Sequence, residues 1–274
     1  MIKLLAILLA SYAGVVALLY VAQRSLIFRG AHMQSVRLDQ PRAPERLELT
    51  TADGSVLCGM LFRASAGSTD LVIGFGGNMQ DAEVLGQDLA VRLPKAHLVV
   101  FHYRGYGAST GRPSEEALYA DALQIHDAML ERLRPARTFA VGISLGSGVA
   151  TYLTKQRPLA GMLLITPYDS IEAVAKEQYF WVPVGLLLRD RFASVEHMRG
   201  NRTPVAVIAA EDDRVVRPQR TAALREQIAN LVFERTLPGA SHATIDHLPA
   251  YGGTFKEAFA ALERATPRLP AAAR

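Results

Sequence analysis

With 274 residues, half of them hydrophobic, the chain is long enough to bury one large core or two small ones. Thirty basic residues against 26 acidic leave a formal charge of +4; nearly all the basic residues are arginine, and their scatter argues against a nucleic-acid surface and for a GC-rich, bacterial genome. One cysteine, Cys58, excludes an internal disulfide framework and a cysteine-based metal site, and reads as a small buried hydrophobe.

The first element is apolar. From Leu4 to Ala22 there is no charge, and Ser11 is the only strongly polar side chain. A helix of about 19 residues spans roughly 28 Å, close to the hydrocarbon thickness of a bilayer. Residues 1–22 are therefore expected to be an N-terminal membrane anchor. A cleaved signal peptide ending at Val15-Val16-Ala17 is the competing reading, but the apolar run continues past that point. Lys3 precedes the span and Arg24, Arg29, Arg37 and Arg42 follow it, which tilts the rest of the chain toward the cytoplasm.

A connector over 23–45, with Pro41 and Pro44, leads to an expected catalytic domain over 46–265. Leu47–Thr51 and Val56–Phe62 flank Asp53-Gly54 and predict a hairpin. Further strands are predicted at Leu71–Phe75, His97–Phe101, Phe139–Val141, Met162–Ile165, Val205–Ala209 and Leu231–Leu237. Helices are predicted near Asp81–Leu93, Ser114–Leu133, Leu145–Gln156, Arg217–Asn230 and Ile245–Ala265. This alternation implies an α/β fold, a mostly parallel sheet with helices on both faces. Residues 167–200 break the rhythm as a small cap-like insertion, where Tyr179, Phe180 and Trp181 read as packing residues or as an apolar lid. Residues 266–274, rich in Pro, Ala and Arg, are expected to be a loose tail.

In an open parallel sheet, reactive groups meet at the carboxyl ends of strands. Three candidates fall there. Ser144 sits in Gly142-Ile143-Ser144-Leu145-Gly146, between a strand and a helix, where a tight reversal requires glycine on both sides. The alternative is a close-packed glycine pair with an incidental serine. Asp213, in Glu211-Asp212-Asp213-Arg214, follows the next-to-last strand, and His242 follows the last. Singly, an acidic turn or a loop histidine is commonplace; the order Ser, Asp, His at three strand ends is that of one particular fold. Gly74-Phe75-Gly76-Gly77-Asn78 follows an early strand, so the backbone N–H groups of Asn78 and Leu145 are assigned to an oxyanion hole. The same glycine stretch fails as a phosphate loop, and the seven histidines show no metal-ligand spacing, so no cofactor and no metal are expected.

These residues resemble the α/β-hydrolase superfamily, in its small membrane-anchored branch related to prolyl-oligopeptidase-like and serine-aminopeptidase-like hydrolases. The resemblance covers roughly residues 23–262. It rests on Gln23-Arg24-Ser25-Leu26-Ile27-Phe28, Gly76-Gly77-Asn78, Pro113-Ser114-Glu115, Thr166-Pro167-Tyr168-Asp169-Ser170 and the serine turn. The most specific string is Tyr103-Arg104-Gly105-Tyr106-Gly107-Ala108-Ser109-Thr110-Gly111; Asp213-Arg214-Val215-Val216 and Gly239-Ala240-Ser241-His242 complete the match. The resemblance implies Ser144 as nucleophile, His242 as base and Asp213, rather than Asp212, as the acid. Asp246 and His247 are the fallback members. Three positions depart from the family: Gly76 stands where histidine is usual, His102 where aspartate is common, and Ala210 where glycine is common. Arg104 is expected to tie its loop to the body. The implied activity is membrane-bound serine hydrolysis of a small-molecule acyl ester or thioester, with lipidic acids favoured by location. An aminopeptidase-like peptidase and a non-catalytic tethered binding protein are the alternatives, and the oligomeric state is left open.

Overall fold

The computed structural model describes residues 1–32, 43–65 and 69–267. Arg37, Pro41 and Arg42 of the expected connector and residues 268–274 of the expected tail lie outside the described residues. Helix α1 (Ile2–Ile27) is apolar and long enough to cross a bilayer, and no residue of its most hydrophobic stretch is buried. It runs five residues beyond Ala22, where the anchor was expected to end. The extra turn is held by tertiary contacts. Gln23 donates from Nε2 to the Leu187 carbonyl at 3.3 Å and accepts from the Arg189 N–H at 2.8 Å. Arg24 pairs at 2.9 Å with Asp190, whose side chain is almost fully buried. Phe28, just past the helix, is buried and meets Phe192 edge-on at 6.1 Å.

Strands β1 (Glu45–Thr50) and β2 (Val56–Phe62) form the predicted hairpin, with Thr50 opposite Val56 and Gly54 at φ 81° in the turn. Then come β3 (Asp70–Phe75), α2 (Ala82–Arg92), β4 (His97–Phe101), α3 (Glu115–Leu133), β5 (Arg137–Ile143), α4 (Leu145–Gln156) and β6 (Gly161–Ile165). Three short helices follow, α5 (Ile171–Gln178), α6 (Val184–Leu187) and α7 (Ser194–Met198). The chain closes with β7 (Val205–Ala210), α8 (Pro218–Arg225), β8 (Leu231–Leu237) and α9 (Pro249–Ala265). Helix starts follow the local chemistry: Asp81 caps α2 by accepting from the Glu83 N–H, and Ser114 caps α3 by accepting from the Ala117 N–H.

Among the described residues eight strands form one sheet in the order β1-β2-β4-β3-β5-β6-β7-β8, parallel from β4 onward and antiparallel at β1/β2 and β2/β4. Alternate residues feed two cores. Ile73, Ala140 and Leu164 face α3 and α4, whereas Val72, Val141 and Leu163 face α2 and α9. Both faces are covered, so the inner strands read as unbroken apolar runs.

Two predicted helices differ from the observed ones. The helix expected over Arg217–Asn230 ends at Arg225, because Ile228 turns inward and the Asn230 carbonyl accepts from the Val205 N–H at the start of β7. The helix expected from Ile245 begins at Pro249, with a 3-10 turn over Ile245–His247 before it. Proline at the first helical position suits a start there, since its missing N–H has no partner to lose.

Candidate active site

Ser144 stands between β5 and α4 with φ 49° and ψ −115°, a backbone conformation that residues other than glycine rarely adopt. Its own N–H donates to the Ile165 carbonyl of β6 at 2.9 Å, and its carbonyl accepts from the Ser147 hydroxyl at 2.7 Å. The flanking glycines are explained by contact. A Cβ on Gly142 would lie 2.7 Å from the Gly146 carbonyl oxygen, and one on Gly146 would overlap the Phe75 carbonyl. Neither obstacle is a flexible side chain, so the backbone itself would have to move.

His242 Nε2 lies 2.8 Å from Ser144 Oγ, and its Nδ1 lies 2.7 Å from Asp213 Oδ2. A carboxylate only accepts, so the proton sits on Nδ1 and the Nε2 lone pair faces the serine hydroxyl. Asp213 is buried, and its other oxygen accepts from the N–H groups of Val215 at 2.9 Å and Val216 at 2.7 Å. Those two bonds hold the carboxylate in place before the imidazole reaches it. Asp212, one residue earlier, is exposed, and its backbone N–H donates to the Ala240 carbonyl at 2.8 Å. The fallback pair Asp246 and His247 lies on the surface, 3.7 Å apart. The geometry thus brings together Ser144, His242 and Asp213 and leaves the alternatives outside.

The glycine turn after β3 comes up beside the serine. A Cβ on Gly77 would sit 3.6 Å from Ser144 Cβ. The Gly77 carbonyl accepts from the Gln80 N–H at 3.2 Å and the Gly77 N–H donates to Gln80 Oε1 at 3.0 Å, closing a tight turn that carries Asn78. Leu145 opens α4, and its N–H is among those a helix leaves without an internal acceptor. Leu145 thus lies within the serine turn itself, and Asn78 follows the glycine that meets that turn.

Three residues around this turn carry contacts that the sequence reading did not single out. Tyr103 Oη donates to the Gly76 carbonyl at 2.8 Å, Tyr106 Oη donates to the Asn78 carbonyl at 3.0 Å, and the Gly30 N–H donates to that same carbonyl at 2.8 Å. Both tyrosines belong to a string legible as a motif, but nothing local in the sequence indicates what they hold. Arg104, from the same string, is buried and forms a two-pronged ion pair with Asp121, both bonds 2.7 Å, and a further bond to Asp53 of the hairpin. It ties its loop to the body, as expected.

The cap-like segment packs differently from a core. Phe180 is 84% exposed, and Trp181 stacks edge-on against Tyr12 of α1 at 6.2 Å, with the Tyr12 hydroxyl donating to the Trp181 carbonyl. Between α1 and this segment runs an apolar cavity lined by Leu19, Tyr20 and Ile27 on one side and Ala175, Tyr179 and Leu188 on the other.

A doubly covered, mostly parallel sheet with a sharp serine turn after its fifth strand is the architecture of the alpha/beta hydrolase fold, and known proteins share it. A sequence profile of the alpha/beta hydrolase fold matches residues 71–199. An uncharacterized protein of Mycobacterium tuberculosis is 34% identical over 241 residues, covering 84% of each chain. The lysophosphatidylserine lipase ABHD12 of Danio rerio is 33% identical over 160 residues, 50% of this chain and 42% of that one. The esterase Pf2001 of Pyrococcus furiosus superposes with a TM-score of 0.70 over 85% of this chain and 96% of its own, at 15% identity. The chain belongs to the α/β-hydrolase family.

Proposed function

We propose that this protein is a membrane-anchored serine hydrolase that cleaves carboxylic esters of lipidic acids, thioesters included, through an acyl-enzyme. The observation that carries the reading is the continuous pair of contacts from Ser144 Oγ to His242 Nε2 at 2.8 Å and from His242 Nδ1 to Asp213 at 2.7 Å. As Ser144 Oγ attacks the acyl carbonyl, Nε2 takes its proton, and Asp213 stabilises the imidazolium that forms. The negative charge on the carbonyl oxygen falls between the N–H groups of Asn78 and Leu145. Collapse expels the alcohol or thiol, which takes the proton from Nε2. Water, deprotonated by the same nitrogen, then attacks the acyl-serine and frees the acid.

Two observations favour a lipidic substrate over a peptide. The exposed apolar face of α1 is long enough to span a bilayer, which supports a site that works beside one, and residues of α1 line the apolar cavity against α5 and α6. Among relatives, the ABHD12 proteins are lysophosphatidylserine lipases by name, which supports a single-chain ester of a lipid as the substrate class. The test is reaction of the full chain, in membranes, with a fluorophosphonate probe that labels activated serines. Labelling is expected in the wild-type protein and absent from Ser144→Ala. Equal labelling of the two, or none from folded wild-type protein, would sink the reading.

A further inference from the structure

We propose that Gly30 and Tyr106 are positioning residues for the oxyanion turn, so that the segment leaving α1 is a working part of the site. This rests on the hydrolase reading above.

The peptide that matters is Gly77–Asn78, because it bears the Asn78 N–H. In a trans peptide the N–H points opposite to the C=O. The Gly77 carbonyl accepts from the Gln80 N–H, which sets the direction of the Asn78 N–H. That arrangement persists only if the two neighbouring peptides cannot swing, and each is tied by its carbonyl. On one side, Tyr103 Oη donates to Gly76 at 2.8 Å. On the other, the Gly30 N–H at 2.8 Å and Tyr106 Oη at 3.0 Å both donate to Asn78. Gly76 and Gly77 have no side chains with which to brace the turn themselves, and glycine is the residue with the most backbone freedom to lose. The bracing is supplied from outside.

The donors are built for this role. Burial pushes both phenols above their ordinary range, so they remain protonated donors, and the two rings meet edge-on at 5.6 Å. At Gly30 a Cβ would overlap the Tyr106 ring and lie 2.7 Å from the Asn78 carbonyl oxygen, so only glycine lets this backbone approach. Gly30 is in turn located by what precedes it: buried Phe28, the Arg24–Asp190 pair and the end of α1. The expected anchor is thereby joined to the oxyanion turn through a few residues.

The experiment compares full-length wild-type protein with Tyr106→Phe and Gly30→Ala in detergent, using a soluble p-nitrophenyl ester and titrating active sites with the fluorophosphonate. Per titrated site, kcat is expected to fall about fivefold in Tyr106→Phe, the worth of one hydrogen bond, and further in Gly30→Ala. KM should hold within about twofold, since the donor acts on charge that develops in the transition state. Amide hydrogen exchange of the segment 76–80 should quicken in both variants, a change that loss of active protein alone would not produce. Unchanged kcat per site in both variants, from a wild-type protein that reacts with the probe, would overturn the positioning role and leave the hydrolase reading intact. A wild-type protein that does not react would overturn both.

Discussion

At Ser144 the backbone angles, φ 49° and ψ −115°, place the hydroxyl at the mouth of the sheet rather than inside the following helix. The same local economy is visible at Asp213, which spends one oxygen on two backbone N–H groups and the other on His242. Asp213→Asn keeps the acceptor for those N–H groups, so the fold is expected to survive. What changes is the tautomer of the imidazole, and kcat for a p-nitrophenyl ester should fall by about 10⁴ with little change in KM. A smaller loss would mean another group orients His242. His197 offers a test of a different kind. It is buried, its ring meeting both members of the stacked Tyr119–Tyr152 pair edge-on at centroid distances of 5.4 and 5.3 Å, and burial pushes its pKa down to about 4. Between about pH 6.5 and 4 the unfolded chain binds a proton that the folded chain does not. The contribution is complete above the unfolded pKa and is lost as pH falls through that window. From pH 7 to 4.5 the loss is about 2 kcal/mol, measurable as a lower urea midpoint, and His197→Phe should flatten that part of the profile.

The elements were largely legible. Among the described residues each strand lies within two residues of its expected bounds; the inner parallel strands are apolar on both faces because both are buried, while β1 shows the alternation of a half-exposed edge. At two elements a contact distant in sequence moved the boundary. Helix α8 stops short because its last turn would carry Ile228 away from the core, and α1 outlasts its apolar run because Gln23 and Arg24 find partners on the cap-like segment. The start of α9 is set locally, by Pro249 at its first position. The lid residues were the least legible, since an aromatic cluster looks alike whether it packs inward or against a neighbouring helix; here Trp181 met Tyr12. The joint between α1 and the body makes a prediction at this scale. Phe28→Ala empties a fully enclosed site beside Phe192, and should cost about 3 kcal/mol, read as a lower melting temperature of the solubilised protein. An unchanged melting temperature would mean that the end of α1 is not docked.

In the whole molecule, the sheet order brings together groups that the chain keeps far apart: His242 reaches Ser144 across 98 residues, and Asp213 reaches His242 across 29. The site lies at the carboxyl ends of β3, β5, β7 and β8, on a body to which α1 is fastened by the Arg24–Asp190 pair. If α1 is the anchor, washing membranes that carry the full chain with alkaline carbonate leaves the protein in the pellet. Recovery in the supernatant would remove α1 from that role. The sequence by itself determined the strands, the serine elbow and the chain order of Ser144, Asp213 and His242, because apolar runs, glycine turns and strand ends are local properties. Tertiary structure alone decided that the Ser144 hydroxyl and the Asp213 carboxylate meet opposite nitrogens of His242, since the three residues lie on turns after separate strands. It alone decided that Gly30, Tyr103 and Tyr106 converge on one turn, because those contacts depend on where the folded sheet and the end of α1 bring distant backbone together.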